Sequence, residues 1–160
     1  MGEVIHQLDV KYLTFLNNLG TPFFDGFWLA MTNEVTWLPF FVLILLGIYR
    51  KFNAETALKV LTYTLLLLAA DLIITELVKE TVGRVRPNNN RALIHELRIL
   101  TTPSNYSFFS GHASTSMAVA MFLVLTLRRH FKSIILLWLW PVFFIYSRIY
   151  VGVHYPTDLL

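Results

Sequence analysis

The residues best equipped for chemistry fall in three clusters: Lys79 and Arg86; Ser110, Gly111 and His112; and Arg148, His154 and Asp158. An arginine in apolar surroundings costs several kcal/mol unless an anion offsets it. Three cations beside two imidazoles would repel one another without such an anion. A phosphate monoester or pyrophosphate suits them, because it offers several oxygens to forked guanidiniums and to the point charge of a lysine. Ser110 and Gly111 precede an apolar stretch, where the free N–H groups of a helix start favour phosphate and glycine permits close approach. Two histidines are available for two roles, and Asp158 stands four residues after His154.

These clusters must be positioned by apolar elements. The chain has 160 residues, 56% hydrophobic and 14% charged, far below the quarter charged that is usual in soluble domains. The expected solvent is the bilayer. A net charge of +3, spread along the chain, gives no basis for nucleic-acid binding, and the absence of cysteine excludes disulfide and thiolate chemistry. The first residues, MGEVIHQLDV, lack the pattern of a signal peptide.

The periodicity of residues 4–17 places Ile5, Leu8, Tyr12, Phe15 and Leu16 near one helical face, as in an interfacial helix or a short helix packed on a bundle. Residues 26–49 read as one tilted span, or as a short helix leading into a span. A second span covers about 57–79, a third 112–127 and a fourth 133–150. Residues 80–111 form a polar loop, with a short surface helix expected over 91–100. In YPTDLL, Pro156 and Asp158 suit the first turn of a further helix. The predicted fold is an all-α polytopic membrane helix bundle. It forms a single domain over 1–160, with an interfacial region at 1–33, an active-site loop at 80–111 and the last cluster at 147–160.

Arg50, Lys51 and Lys59 flank one connection, and Arg128, Arg129 and Lys132 fill another two spans later. Both are expected on the cytoplasmic side, which puts the three clusters on the extracytoplasmic side. The polar loop is also basic, through Arg84, Arg86, Arg91 and Arg98.

Lys79 with six residues before Arg86–Pro87, then Ser110–Gly111–His112, then Ser147–Arg148 with five residues before His154 and three before Asp158, resembles the signature of the type 2 phosphatidic acid phosphatase superfamily. The family includes membrane lipid phosphatases, glucose-6-phosphatase and vanadium haloperoxidases. The resemblance runs from about the second span to the end of the chain. Phe109 stands where the family usually has proline, a change that could alter the loop before His112 without removing a chemical group.

The resemblance implies His154 as nucleophile, forming a phosphohistidine, with Asp158 holding its other ring nitrogen. It implies His112 as the acid and then the base, and Lys79, Arg86, Ser110, Gly111 and Arg148 as phosphate ligands. It implies no metal or cofactor. The partners expected are the membrane and a lipid-phosphate substrate within it, in the cell (inner) membrane. Among substrates, undecaprenyl pyrophosphate is favoured by analogy with small bacterial recycling enzymes; phosphatidylglycerol phosphate, phosphatidic acid and lipid A phosphates are alternatives. A lipid phosphotransferase and a non-catalytic anion- or lipid-binding protein are the other classes. Family members continue from the third motif into another span, so the final span reads as truncated at Leu160, and weak or no activity is expected of these residues alone.

Other polar residues have simpler readings. His112, His154 and Asp158 could ligate a metal, but no fourth ligand stands at a recognisable spacing. His6, His95 and His130 read as surface or interface residues. Arg84 is expected to face headgroups or solvent, with assistance to phosphate binding as the alternative. Glu76 is three residues before Lys79 and should pair with it, and Asp71 should bond Thr75 or a neighbouring helix, in preference to a proton path. WLPFF and WLWPVFF read as interface anchors and packing surface, with a lipid-tail entry as the alternative.

Overall fold

The computed structural model describes residues 2–160. Six α-helices run in order: α1 Gly2–Asn18, α2 Pro22–Thr32, α3 Leu38–Lys51, α4 Ala54–Val82, α5 Gly111–Leu127 and α6 Leu139–Tyr150. Short 3-10 turns precede α3 and α6, follow Arg86, and close the chain at Pro156–Leu159. The all-α bundle expected from the sequence is the observed fold.

α4 and the segment Lys132–Tyr150 are each long and apolar enough to cross a bilayer. α2 and the segment Glu34–Lys51 qualify as a broken span bent by 72°, so the short helix leading into a span is the version that forms. Asn33 makes the break, its side chain accepting a hydrogen bond from the Val35 N–H as it caps the next turn. α5, with 17 residues, rises about 26 Å at 1.5 Å per residue. Along α4, Leu58, Leu65, Leu66, Leu72, Ile73, Ile74 and Leu77 are all exposed. In water that stripe would drive aggregation; in lipid it is the solvated face.

Lipid tails are as apolar as leucine, so close packing must hold such helices together. α5 supplies small residues for it: Ala113, Ser116 and Ala120 are buried on its inner side, which lets neighbouring backbones approach. The core below the polar clusters joins Ile48, Val60, Leu123, Leu127, Trp140 and Phe144. Asp71 of α4 clamps the same interface, accepting hydrogen bonds from Ser114 and Thr115 of α5; its partner is thus a neighbouring helix, not Thr75. The two aromatic runs pack on each other, with Phe41 and Trp140 centroids 4.7 Å apart and Trp37 and Trp140 6.1 Å apart. At the opposite end from the clusters, Lys51 Nζ donates to the His130 carbonyl at 2.6 Å, bringing the two basic connections together.

α1 combines the two expected readings: an apolar stripe open to lipid and a row packed on the bundle, where Leu16 also lies. Ile5, Leu8, Tyr12 and Phe15 are exposed, while the buried row is Asp9, Leu13 and Asn17. The Asn17 side-chain amide donates to the carbonyls of Arg98, Ile149 and Tyr150, and its oxygen accepts from the Arg98 N–H. One residue thereby joins α1, the polar loop and the end of α6. The surface helix expected over 91–100 does not form. Residues 91–97 make successive turns, and the backbone then extends as Arg98 N–H bonds Asn17 and Leu100 N–H bonds the Val151 carbonyl. Gly152 permits that approach: its φ is 78°, and a Cβ there would lie 2.9 Å from the Arg98 carbonyl oxygen.

Candidate active site

Lys79 lies in the last turn of α4, which Gly83 ends in the left-handed conformation (φ 61°). Its ammonium is buried and donates to Glu76 at 2.7 Å, the pair read from the i, i+3 spacing. The chain then turns inward and buries Arg86 to 4% exposure. Its guanidinium is held on two sides: Nε donates to the Asn105 carbonyl at 2.8 Å, and Nη2 to the Asn105 side chain at 2.8 Å. The remaining nitrogen, Nη1, lies 3.1 Å from the Val153 carbonyl and 2.8 Å from His154 Nε2.

That last contact assigns the histidine tautomer. A guanidinium only donates, so Nε2 accepts and carries the lone pair. Nδ1 then carries the proton, which points to Asp158 Oδ2 at 3.3 Å. The same carboxylate oxygen accepts the Tyr155 N–H at 2.9 Å, and Oδ1 accepts from Arg84 at 2.6 Å. Pro156 starts the 3-10 turn that brings Asp158 back under His154. Both residues are 1% exposed. Burial first, and then the charges of Arg86, Arg148 and Lys79, hold the His154 imidazole well below its ordinary pKa, so it is neutral at neutral pH. Burial raises the Asp158 carboxyl, and Arg84 works against that rise.

Ser110 caps α5, its hydroxyl accepting from the Ala113 N–H, and its own N–H donates to the Asp158 carbonyl at 2.8 Å. The cap persists with Phe109 in front of it, so the departure from proline leaves the helix start intact. A Cβ on Gly111 would lie 3.4 Å from Thr75 Cγ2, so the residue marks close passage of α5 over α4. His112 stacks on Phe144 at 4.7 Å and is only partly buried; its Nε2 lies 3.7 Å from Glu34, brought there by the break before α3. Arg148, one turn after Phe144, is 7% exposed and donates to Thr32 at 2.5 Å.

Lys79, Arg86, Ser110, Gly111, His112, Arg148, His154 and Asp158 thus sit on element ends that the bundle gathers at one end. Arg86 and His154 are in direct contact, as are His154 and Asp158. Among the described residues neither Arg86 nor Arg148 has a carboxylate at ion-pair distance. Arg148 Nε and the Thr75 hydroxyl are buried without a hydrogen-bond partner. Such orphans are costly, and an oxyanion beside them would supply both the missing charge and the missing acceptors.

Residues 59–160 match the PAP2 superfamily. The chain belongs to the PAP2 superfamily. Relatives at high coverage are the lipid A 4'-phosphatases of Bacteroides thetaiotaomicron, 33% identical over 100% of this chain and 72% of the relative, and of Porphyromonas gingivalis, 28% identical over 99% and 68%. The undecaprenyl-diphosphatase of Sulfolobus acidocaldarius is 29% identical over 79% of this chain and 56% of that one. The crystal structure of a transmembrane PAP2 phosphatidylglycerolphosphate phosphatase from Bacillus subtilis matches 98% of this chain and 77% of its own, with TM-score 0.73 and 25% identity. This PAP2 chain is therefore a membrane lipid phosphatase, a hydrolase of phosphoric esters.

Arg84 departs from its expected place at headgroups or in solvent. It is half-buried and bridges Asp9 and Asp158, at 2.5 and 2.6 Å. Asp9, Thr32, Glu34 and Asn105, which the sequence reading did not select, contact Arg84, Arg148, His112 and Arg86 respectively. Asp9 shares the buried row of α1 with Leu13 and Asn17.

Proposed function

We propose that this phosphatase removes a phosphate from lipid A through a phosphohistidine intermediate, at a site facing the extracytoplasmic side of the inner membrane. The supporting observation for the chemistry is the Arg86–His154–Asp158 contact chain, which leaves one uncharged imidazole nitrogen beside unpaired cations. In the first step the Nε2 lone pair attacks phosphorus, the ester P–O bond breaks, and His112 protonates the departing oxygen. An incoming phosphoryl oxygen takes over the Arg86 Nη1 donor that now engages Nε2. Asp158 supports the imidazolium as it forms. Lys79, Arg86, Arg148, Ser110 and Gly111 hold the phosphoryl oxygens where charge spreads in the transition state. In the second step water gives a proton to His112 and attacks phosphorus, the P–N bond breaks, and inorganic phosphate leaves.

Lipid A is chosen over undecaprenyl pyrophosphate, the substrate first favoured by analogy. The lipid A phosphatases align with nearly all of this chain, whereas the undecaprenyl enzyme aligns with 79%. A groove of about 580 Å³ between α3 and α6, walled by Trp37, Phe40, Trp140 and Phe143, offers an acyl chain a path. Stacked rings lead from it through Trp140 and Phe144 to His112. Both basic connections lie at the opposite end, which supports the outward orientation.

Phosphate release from lipid A, undecaprenyl pyrophosphate, phosphatidylglycerol phosphate and phosphatidic acid in detergent, with His154→Ala as control, tests the reading. Fastest release from lipid A is expected, with the variant silent. Faster turnover of another lipid would overturn the substrate, and an active variant the nucleophile. An acceptor lipid that suppressed phosphate release while itself becoming phosphorylated would make the chain a transferase.

A further inference from the structure

We propose that Asp9, acting through Arg84, is a positioning residue for the Asp158–His154 pair, so that α1 sets the charge balance around the imidazole. The inference rests on the nucleophile assigned to His154 above. Asp9 lies outside the residues that match the family, which begin at 59.

Asp9 is 2% exposed, on a helix that turns Ile5, Leu8, Tyr12 and Phe15 outward. A carboxylate is buried only against strong partners, and it has three donors: Arg84 Nη2 at 2.5 Å, Thr157 Oγ1 at 2.5 Å and the Thr157 N–H at 3.0 Å. Arg84 turns its other terminal nitrogen to Asp158 at 2.6 Å and to Thr157 Oγ1 at 2.8 Å, and its guanidinium lies 4.2 Å over the Tyr155 ring. One guanidinium is thus shared between two buried carboxylates, and the second carboxylate meets the His154 Nδ1 proton.

The charge count gives the arrangement a purpose. With His154 neutral, Asp9, Arg84 and Asp158 carry one net negative charge. Phosphorylation of Nε2 makes the ring cationic, and the cluster becomes neutral. Without the Asp9 charge, Arg84 bears on Asp158 alone, and the same step would leave a net positive cluster in a buried site. Asp9 therefore favours the intermediate over the resting ring, a difference that acts on the reacting state more than on substrate binding.

The test uses purified full chain in detergent, with phosphate release from lipid A as the assay and thermal unfolding as the measure of folding. Asp9→Asn should lower kcat about 10- to 100-fold, the effect of one nearby charge at an effective dielectric constant near 20, with KM changed less than about twofold. Asp9→Glu, which keeps the charge, should recover part of the rate. Asn17→Ala is the comparison: it loosens the same helix without touching Arg84, and should lose less kcat at equal loss of thermal stability. Asp9→Ser repeats the charge deletion should the asparagine variant not fold. Equal losses for Asp9→Asn and Asn17→Ala at matched stability, with no recovery by glutamate, would overturn the proposal and leave Asp9 an anchor. His154→Ala is run alongside. If it is silent while Asp9→Asn turns over normally, only this inference fails; if it is active, the nucleophile assignment fails and this inference with it.

Discussion

The two histidines of the site are held in opposite ways. His154 is closed on every side: one ring nitrogen faces Arg86 at 2.8 Å, the other faces Asp158, and the residue is 1% exposed. His112 rests against the flat face of Phe144, with Glu34 at 3.7 Å as its charged neighbour and that glutamate largely open to the surroundings. The difference follows the two tasks proposed. A nucleophile gains from one geometry and one tautomer, which a network of satisfied hydrogen bonds enforces. A group that passes a proton to a leaving oxygen and then receives one from water must remain reachable.

The comparison can be broken in the closed half first. Arg86→Gln should lower turnover on the order of 10³-fold, since it removes a phosphate ligand and the partner of Nε2. It should also move the His154 titration upward, because a cation that disfavours imidazolium has gone; burial remains and keeps it below the ordinary value. Nitrogen-15 NMR of the ring would show His154 uncharged as the wild type is acidified through about pH 6.5. A wild-type ring that protonated at its ordinary value would contradict the closed, cation-flanked site.

The open half should respond according to the leaving group. His112→Ala is expected to cost about 10² to 10³-fold on an alkyl phosphate, and clearly less on p-nitrophenyl phosphate, whose leaving group needs little protonation. Equal losses on both substrates would remove His112 as the acid toward the leaving group and leave it only the role toward water. The smallest effect belongs to Glu34→Gln, about threefold or less in rate, because an exposed pair near 4 Å contributes little. A loss as large as that of His112→Ala would show that the open half is as tightly organised as the closed one.

The closed half was also the more legible in sequence, although only in part. Lys79, Arg86, His154 and Asp158 stand at spacings that already implied convergence, and Glu76 pairs with Lys79 as its position on the helix requires. Arg84 was placed at headgroups or solvent and Asp9 was not selected, because their partners lie far apart in sequence. α1 turns Ile5, Leu8 and Phe15 outward, as an interfacial helix does, and buries Asp9 with Leu13 and Asn17. The spacing along α1 shows that stripe, but only the tertiary arrangement brings Arg84 to Asp9. The lost helix over 91–100 is similar: its backbone pairs with Asn17 and Val151, partners distant in sequence. Asp71 was read as bonding Thr75 or a neighbouring helix, and which of the two depended on how α5 packs.

α5 carries Ser110 and His112 at its head and meets the basic connections at its foot, with 17 residues between its ends. As a rigid rod of about 26 Å, it works as a depth gauge. If His112 and His154 act as proposed, phosphorus would react only at one height along that rod, and the enzyme would select molecules by where their phosphate floats as well as by shape. A bilayer thicker than the rod should lower turnover as the headgroups rise relative to the mouth, with the side chains around His154 unmoved.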